Sequence, residues 1–312
     1  MNVAMIGSGG IAHRHLQVLS REKSIEVVGH VARTARSGEA AAQTWGGRAY
    51  ESCDELLEHE QVDAAWITVP PNAHGAIEEC LVQYGVPFFV EKPLSADRAT
   101  GERIAGMLEH HNVIAGVGYH WRALDFLPEV RDALSRHPAR MVIAAWHDRT
   151  PPPRWWHHQK ESGGQMVEQA THLFDLARHL VGEASVVATS TVPYSSSQFE
   201  GVDVPGASAA LLRYDSGAIG SFTATCILSR PSGIYLQFIC DGLAITVTQS
   251  GAVFDTQFEQ REVRVRADPF SVEDRAFLEA VRTGDASHLL CNYEDALGTH
   301  HLTFDVQEMA TR

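Results

Sequence analysis

Cysteine is scarce in this chain and forms no pattern. Cys53, Cys80, Cys226, Cys240 and Cys291 are odd in number and widely spaced, with no C-x-x-C pair. That excludes a disulfide framework and a thiolate zinc site. No apolar run approaches the ~18 residues a membrane span requires, and Met1-Asn2 leads straight into Val3-Ala4-Met5-Ile6 without a charged leader or cleavage site. The expectation is a cytoplasmic protein of a reducing compartment, with no membrane partner. Basic residues are also few: 25 Lys and Arg against 39 Asp and Glu leave a formal charge of −14. Nothing then supplies counterion release, so nucleic acid is not an expected partner. Locally placed Arg or Lys would still suit a small anionic ligand.

What is present is ordinary globular material. The 312 residues are 44% hydrophobic and 21% charged, which suits ~two domains at ~150 residues each and a core that needs no staples. Residues 1–121 alternate strand-like runs (Val3–Ile6, Ile25–Ala32, Asp63–Val69, Val86–Val90, Val113–Val117) with Ala- and Glu-rich helical stretches. Ser52 opens a capping-box match, Asn72 reads as an N-cap, and Gly85 as the glycine after a helix. This alternation predicts a parallel sheet covered on both faces. Residues 122–312 read differently. A helical stretch over Gly164–Val181 precedes strand-like runs at Val186–Val192, Ala207–Tyr214, Ala218–Leu228, Tyr235–Cys240 and Ala244–Thr248, with turns at Asp215-Ser216-Gly217 and Asp241-Gly242. Helices at Val272–Arg282 and after Tyr293 close the chain. The reading is a doubly wound domain, then an α+β domain on an open, mostly antiparallel sheet. That sheet has few helices to cover it, which predicts a homodimer or homotetramer.

Gly7, Ser8, Gly9, Gly10, Ile11 and Ala12 fit G-x-G-x-x-G/A between a predicted strand and a helix whose Ile11, His15 and Leu19 share a face. In that context the first glycine permits a tight turn, the second admits a pyrophosphate, and Ala12 allows close helix–strand packing. The acidic residue that would hold an NAD ribose at the end of the second strand is replaced by Ala32, followed by Arg33, Thr34 and Arg36. Guanidinium and hydroxyl groups there favour a 2′-phosphate, so NADP is preferred over NAD. Lys92, in Glu91-Lys92-Pro93, ends an apolar strand, where open α/β sheets place their ligands.

Taken in order, these residues resemble the Gfo/Idh/MocA family of glucose–fructose oxidoreductase and inositol dehydrogenase. The resemblance rests on the Gly-rich turn, Pro70-Pro71-Asn72-Ala73-His74, Glu91-Lys92-Pro93, Gly118-Tyr119-His120-Trp121-Arg122, and the segment Gly163-Gly164 to His172 and Asp175. It implies a Rossmann domain over 1–121 and a substrate-binding, oligomerising domain over 122–312. It adds Val69, Pro70, Asn72, His74, Glu91, Lys92, Trp121 and Arg122 to the cofactor-binding groups, and it implies no metal. Two positions depart from the family pattern: Glu168 replaces an aspartate and Ala170 a glycine.

Gln165, Glu168, His172, Asp175 and His179 recur at helical spacing as one polar stripe without Lys or Arg, opposite Val167, Ala170, Phe174, Ala177 and Val181. Glu168, His172 and Asp175 are also metal-ligand types, but no further ligand set converges on them. With the family resemblance, the stripe reads as the lining of a site. The preceding Arg154, Trp155 and Trp156 read either as a packed connector or as a substrate rim. The implied activity is NAD(P)-dependent interconversion of a secondary alcohol and a ketone on a sugar, polyol or cyclitol. His172 would accept the hydroxyl proton and Lys92 would stabilise the oxygen. Glu168 or Asp175 would fix the His172 tautomer, and Tyr119 would be a further donor. The alternatives are a glycosidase-type hydrolase using transient oxidation by bound NAD, and a non-catalytic NADP sensor.

Overall fold

The computed structural model describes residues 1–195 and 199–310. Its chain divides into two compact units. One comprises Met1–Ser95, Ala99–Ala123 and Pro269–Leu297, the other Ala96–Arg98, Leu124–Asp268 and Gly298–Arg312. The segment 269–297 therefore belongs to the first unit, although the sequence reading placed it in a second domain running from 122 to 312.

The first unit holds a six-stranded parallel sheet in the order β3-β2-β1-β4-β5-β6. The strands are β1 (Asn2–Ile6), β2 (Glu26–Val31), β3 (Arg48–Tyr50), β4 (Ala64–Ile67), β5 (Phe88–Val90) and β6 (Ala115–Val117). The helices α1 (Gly10–Leu19), α2 (Ala35–Trp45), α3 (Cys53–His59), α4 (Ala76–Gln83) and α5 (Arg98–His111) follow strands in turn. Strands β4 and β5 are buried at every position, as expected when helices cover both faces. Ser52 caps α3 by accepting from Glu55 N at 3.1 Å, and Gly85 takes the left-handed φ of +71° that ends α4. Asn72 is not a cap: residues 71–73 form a 3-10 turn, and α4 starts after Gly75, whose N–H donates to Glu78 at 2.6 Å.

The second unit carries an eight-stranded sheet in the order β14-β13-β12-β11-β7-β10-β9-β8. The elements are α6 (Leu127–Arg136), β7 (Ala139–His147), α7 (Gln159–Ser162), α8 (Gln165–Glu168), α9 (Thr171–Val181), β8 (Ala184–Val192), β9 (Ala207–Tyr214), β10 (Ile219–Thr225), β11 (Gly233–Cys240), β12 (Leu243–Thr248), β13 (Gly251–Thr256) and β14 (Gln260–Arg264). Helices α10 (Pro269–Thr283) and α11 (Tyr293–Ala310) end the chain. All pairs in this sheet are antiparallel except β7 with β10. Gly217 and Gly242, at φ +86° and +76°, turn the β9–β10 and β11–β12 hairpins. Along β9, Ser208, Ala210, Leu212 and Tyr214 are buried while Ala209, Leu211 and Arg213 are exposed. One face of this sheet is therefore core and the other is open. The cysteines Cys53, Cys80, Cys226, Cys240 and Cys291 are all free and buried. Among the described residues no helix is long and apolar enough to cross a membrane.

Candidate active site

The expected single helix over Gly164–Val181 is broken. Ala170 N donates to Gln165 O at 2.9 Å, a return of five residues instead of four, and α9 restarts at Thr171. The wide turn rotates Glu168 away from the register of His172, so the five polar residues do not form one continuous stripe. Glu168 instead accepts a 2.7 Å hydrogen bond from the indole N–H of Trp156. Trp156 is itself buried with Val204 and Cys226, so it is a packed support and not a substrate rim. Trp155 is half-buried and Arg154 is exposed.

Helix α9 is buried on nearly every side: Thr171 through Arg178 are all shielded, charged and apolar residues alike. His172, 3% exposed, stacks on Trp146 of β7 with ring centres 6.0 Å apart. Asp175 is fully buried and accepts from Thr299 Oγ1 at 3.0 Å. Thr299 in turn accepts from Arg178 Nη1 at 2.8 Å, and Arg178 reaches Glu183 at 2.9 Å through Nε. Such burial is tolerated only because the polar groups are hydrogen-bonded. His179 contacts Arg131.

In the first unit, the Gly-rich turn has the expected form. Gly7 lies at φ +113°, and a Cβ there would come within 2.5 Å of Thr68 O. A Cβ on Gly9 or Gly10 would meet nothing within 4 Å. No side chain caps α1, so its N-terminal amides face open space with glycine on the approach, which fits a dinucleotide pyrophosphate. Ala12 is buried, whereas Ile11 is 44% exposed, unlike His15 and Leu19 with which it was read to share a face. At the end of β2, Arg33 and Arg36 are exposed. Thr34 is the N-cap of α2, accepting from Ser37 N at 3.3 Å. Val69 and Pro70 are half-buried and Asn72 exposed. His74 pairs through Nδ1 with Glu78 at 2.5 Å, which holds the turn before α4.

Lys92 follows β5 directly and is joined to Pro93 by a cis peptide bond. Around it lies a buried ionic cluster that sequence reading missed. His15, with no exposed surface, holds Asp274 of α10 at 2.8 Å through Nδ1 and Glu91 at 3.2 Å through Nε2. Asp274 also accepts from Trp66 Nε1 at 2.8 Å. Burial opposes the His15 charge, but Asp274 and Glu91 outweigh it and raise its pKa well above the ordinary 6.5. Burial also works against the Glu91 carboxylate, yet His15, with Lys92 nearby, brings its pKa below the usual value. Ligand atoms of His15, Glu91 and Glu273 lie within 4.8 Å of one another, as in a metal cluster. Both ring nitrogens of His15 are engaged by carboxylates, Nδ1 by Asp274 and Nε2 by Glu91. His120 beside this cluster is driven down to about 4, mainly by burial. Gly118 is required here, since a Cβ would sit 2.9 Å from the Glu91 carboxyl group. The one signal in the sequence was His15 on an apolar helix face.

Four further expected site residues are buried in this unit. The Glu91 carboxylate faces His15 and belongs to this cluster. Arg122 is buried and engaged by Asp295 and by Leu290 O at 3.2 Å, and Trp121 is fully buried, so both hold the turn after β6. Tyr119 is 2% exposed within the apolar cluster of Val90 and Val117.

The Gly-rich turn and the strand-end Lys92 match a known pattern. Residues 1–119 match the family model described as oxidoreductase family, NAD-binding Rossmann fold, and residues 138–246 match the GFO/IDH/MocA C-terminal domain. The chain belongs to the Gfo/Idh/MocA oxidoreductase family. It is 28% identical over 231 residues to a myo-inositol dehydrogenase of Streptomyces leeuwenhoekii, covering 72% of this chain and 69% of that one. It is 27% identical over 229 residues to a myo-inositol 2-dehydrogenase of Thermotoga maritima, covering 70% and 67%. The fold is shared with a 3-ketoreductase from Actinomadura kijaniata in complex with NADP and TDP-benzene, at TM-score 0.86, 20% identity and coverage of 99% and 97%.

Proposed function

We propose that this Gfo/Idh/MocA member is an NADP-preferring oxidoreductase that interconverts a secondary alcohol and a ketone on a carbohydrate-like substrate. The observation that carries this reading is the shielded helix α9, which buries His172 and Asp175 where a structural helix would bury apolar side chains. Relatives named as myo-inositol dehydrogenases support the substrate class. The exposed Arg33 and Arg36 beside the N-terminus of α2 support the 2′-phosphate. When bound, the nicotinamide supplies the hydride acceptor or donor. His172 takes the hydroxyl proton in oxidation, and Lys92 donates to the same oxygen as negative charge develops. Asp175, held by Thr299, is the group proposed to fix the His172 tautomer, while Glu168 accepts from Trp156. No metal takes part in this reading.

The assembly is a homodimer or homotetramer formed on the open sheet face. Val187, Leu211 and Ile219 are 53%, 52% and 44% exposed on adjacent strands there, an apolar surface that a second copy would bury.

The decisive experiment is an NADPH-oxidation screen over keto-sugars, inososes and small ketones, with Lys92→Ala and His172→Ala in parallel. Each variant is expected to lose ~10²–10⁴ in turnover while binding NADPH within a few-fold of wild type. Turnover left intact with only a raised Michaelis constant would overturn the assigned roles. Glycoside cleavage with no net NADPH oxidation would overturn the reaction.

A further inference from the structure

Lysine is rare in this chain: Lys23, Lys92 and Lys160 are the only three in 312 residues. Lys92 is half-buried, and Glu91 before it is 7% exposed. Glu91 is fixed on several sides. Its N–H donates to Ile67 O at 2.9 Å, which ties it to the end of β4. One carboxylate oxygen meets His15 Nε2 at 3.2 Å, and a Cβ on Gly118 would lie 2.9 Å from the carboxyl group. His15 cannot turn away, because Asp274 holds its Nδ1 at 2.8 Å and is itself held by the Trp66 indole at 2.8 Å.

A proton count sets the charge of these three groups. The Asp274–His15 and His15–Glu91 contacts each need one hydrogen. Two carboxylates and one imidazole ring sharing two protons carry one net negative charge, whether the ring keeps both or gives one up to a carboxylate. The other titratable groups nearby add no buried positive charge. Glu273 of α10 is acidic, with a carboxyl oxygen within 4.8 Å of the His15 and Glu91 atoms. His120, after β6, is driven down to about 4, mainly by burial, and is neutral at pH 7. Arg14 is exposed over the Phe270 ring, where water and salt screen it. Lys92 is therefore the cation that answers the buried charge. Burial raises the Glu91 pKa, and His15 and then Lys92 lower it, so the two neighbours feel each other's charge.

We propose that Glu91, clamped by His15 and Asp274, is a positioning residue for Lys92. It supplies the fixed negative charge against which the Lys92 ammonium is held for donation to the substrate oxygen. The inference rests on the Lys92 role proposed above, and Glu91 acts only through Lys92.

The test is trace acylation of the full chain with acetic anhydride at about pH 7.5, with Lys92 read against Lys23 and Lys160 by mass spectrometry. Only the unprotonated amine reacts, so loss of the counter-charge speeds labelling. Glu91→Gln should raise the Lys92 rate at least about threefold and leave Lys23 and Lys160 unchanged. Asp274→Asn keeps the hydrogen bonds to His15 and Trp66 but removes the net charge, so it should raise the Lys92 rate by a smaller factor. A merely structural role for Glu91 would not move Lys92 in that variant, which carries the test alone if Glu91→Gln does not fold. In steady state, Glu91→Gln should lower kcat about tenfold, with the substrate Michaelis constant and NADPH affinity within a few-fold of wild type. A Lys92 rate unchanged in Asp274→Asn, or unchanged in a folded Glu91→Gln, would overturn the inference. Labelling that follows this pattern in a chain with no NADPH-dependent turnover would instead overturn the proposed function and leave the hold of Glu91 on Lys92 standing.

Discussion

Substituting His15 by Leu would remove the cation from between two carboxylates. Asp274 has no exposed surface and Glu91 is 7% exposed, so neither can recover its hydration without local opening. Removing one partner of a buried ion pair costs ~3–5 kcal/mol because the other charge is left uncompensated. The added leucine offsets part of that through apolar burial, so the net loss should be ~3 kcal/mol. With a urea dependence of ~3 kcal/mol per molar, the midpoint falls by ~1 M. Asp274→Asn is the matched control. It keeps an Oδ1 acceptor for both Trp66 and His15 and should cost only ~1–2 kcal/mol, the step from a charged to a neutral hydrogen bond. The pH dependence has a definite sign. The His15 pKa is raised above 6.5, so its contribution is complete below 6.5 and is lost as pH rises through the folded-state value. Glu91 is lowered from 4.5, so its contribution is complete above 4.5 and is lost as pH falls through the folded-state value. The gap between wild type and His15→Leu should thus be widest from pH 4.5 to 6.5 and narrow towards alkaline pH. Urea titrations followed by Trp66 fluorescence measure it. A gap below ~1 kcal/mol, or one that widens with rising pH, would refute the ion-pair argument.

Other outcomes follow from the same structure. NADPH should bind at least about tenfold more tightly than NADH, and Arg33→Ala should erase most of that preference; equal affinities in wild type, measured by fluorescence titration, would rule out a 2′-phosphate site at Arg33. Light scattering at micromolar concentration should give a dimer or tetramer mass, and Leu211→Asp on the open sheet face should lower it; a wild-type monomer would remove the case for self-association. His120 and His300 are both driven down to about 4, mainly by burial. The unfolded chain therefore takes up protons that the native chain refuses between pH 6.5 and 4. Stability should fall over that range by up to ~2.7 kcal/mol per pH unit for the two together; a flat denaturation profile across it would contradict their buried neutral state.

Local chemistry carried much of this protein into view. Strand–helix alternation and the glycines at turns are short-range effects, so the parallel sheet, the Gly7–Ala12 turn, the hairpins at Gly217 and Gly242 and the strand-end position of Lys92 could all be read from neighbouring residues. The central strand β7 could not, because Ala139–His147 mixes Ala, Arg, Met and His without clean alternation and is a strand only through pairing with β10 and β11 on its two sides. Charged β14 was missed for a related reason, since as an edge strand it is polar and takes its form from β13. Tertiary structure alone decided the register of the helix over Gly164–Val181, where one five-residue return separates Glu168 from His172 and gives it to Trp156. It also decided the partners of His15. Asp274 is 259 residues away in sequence, and no periodicity or spacing rule spans that distance. The sequence marks a histidine on an apolar helix face, and only folding brings the carboxylates that raise its pKa.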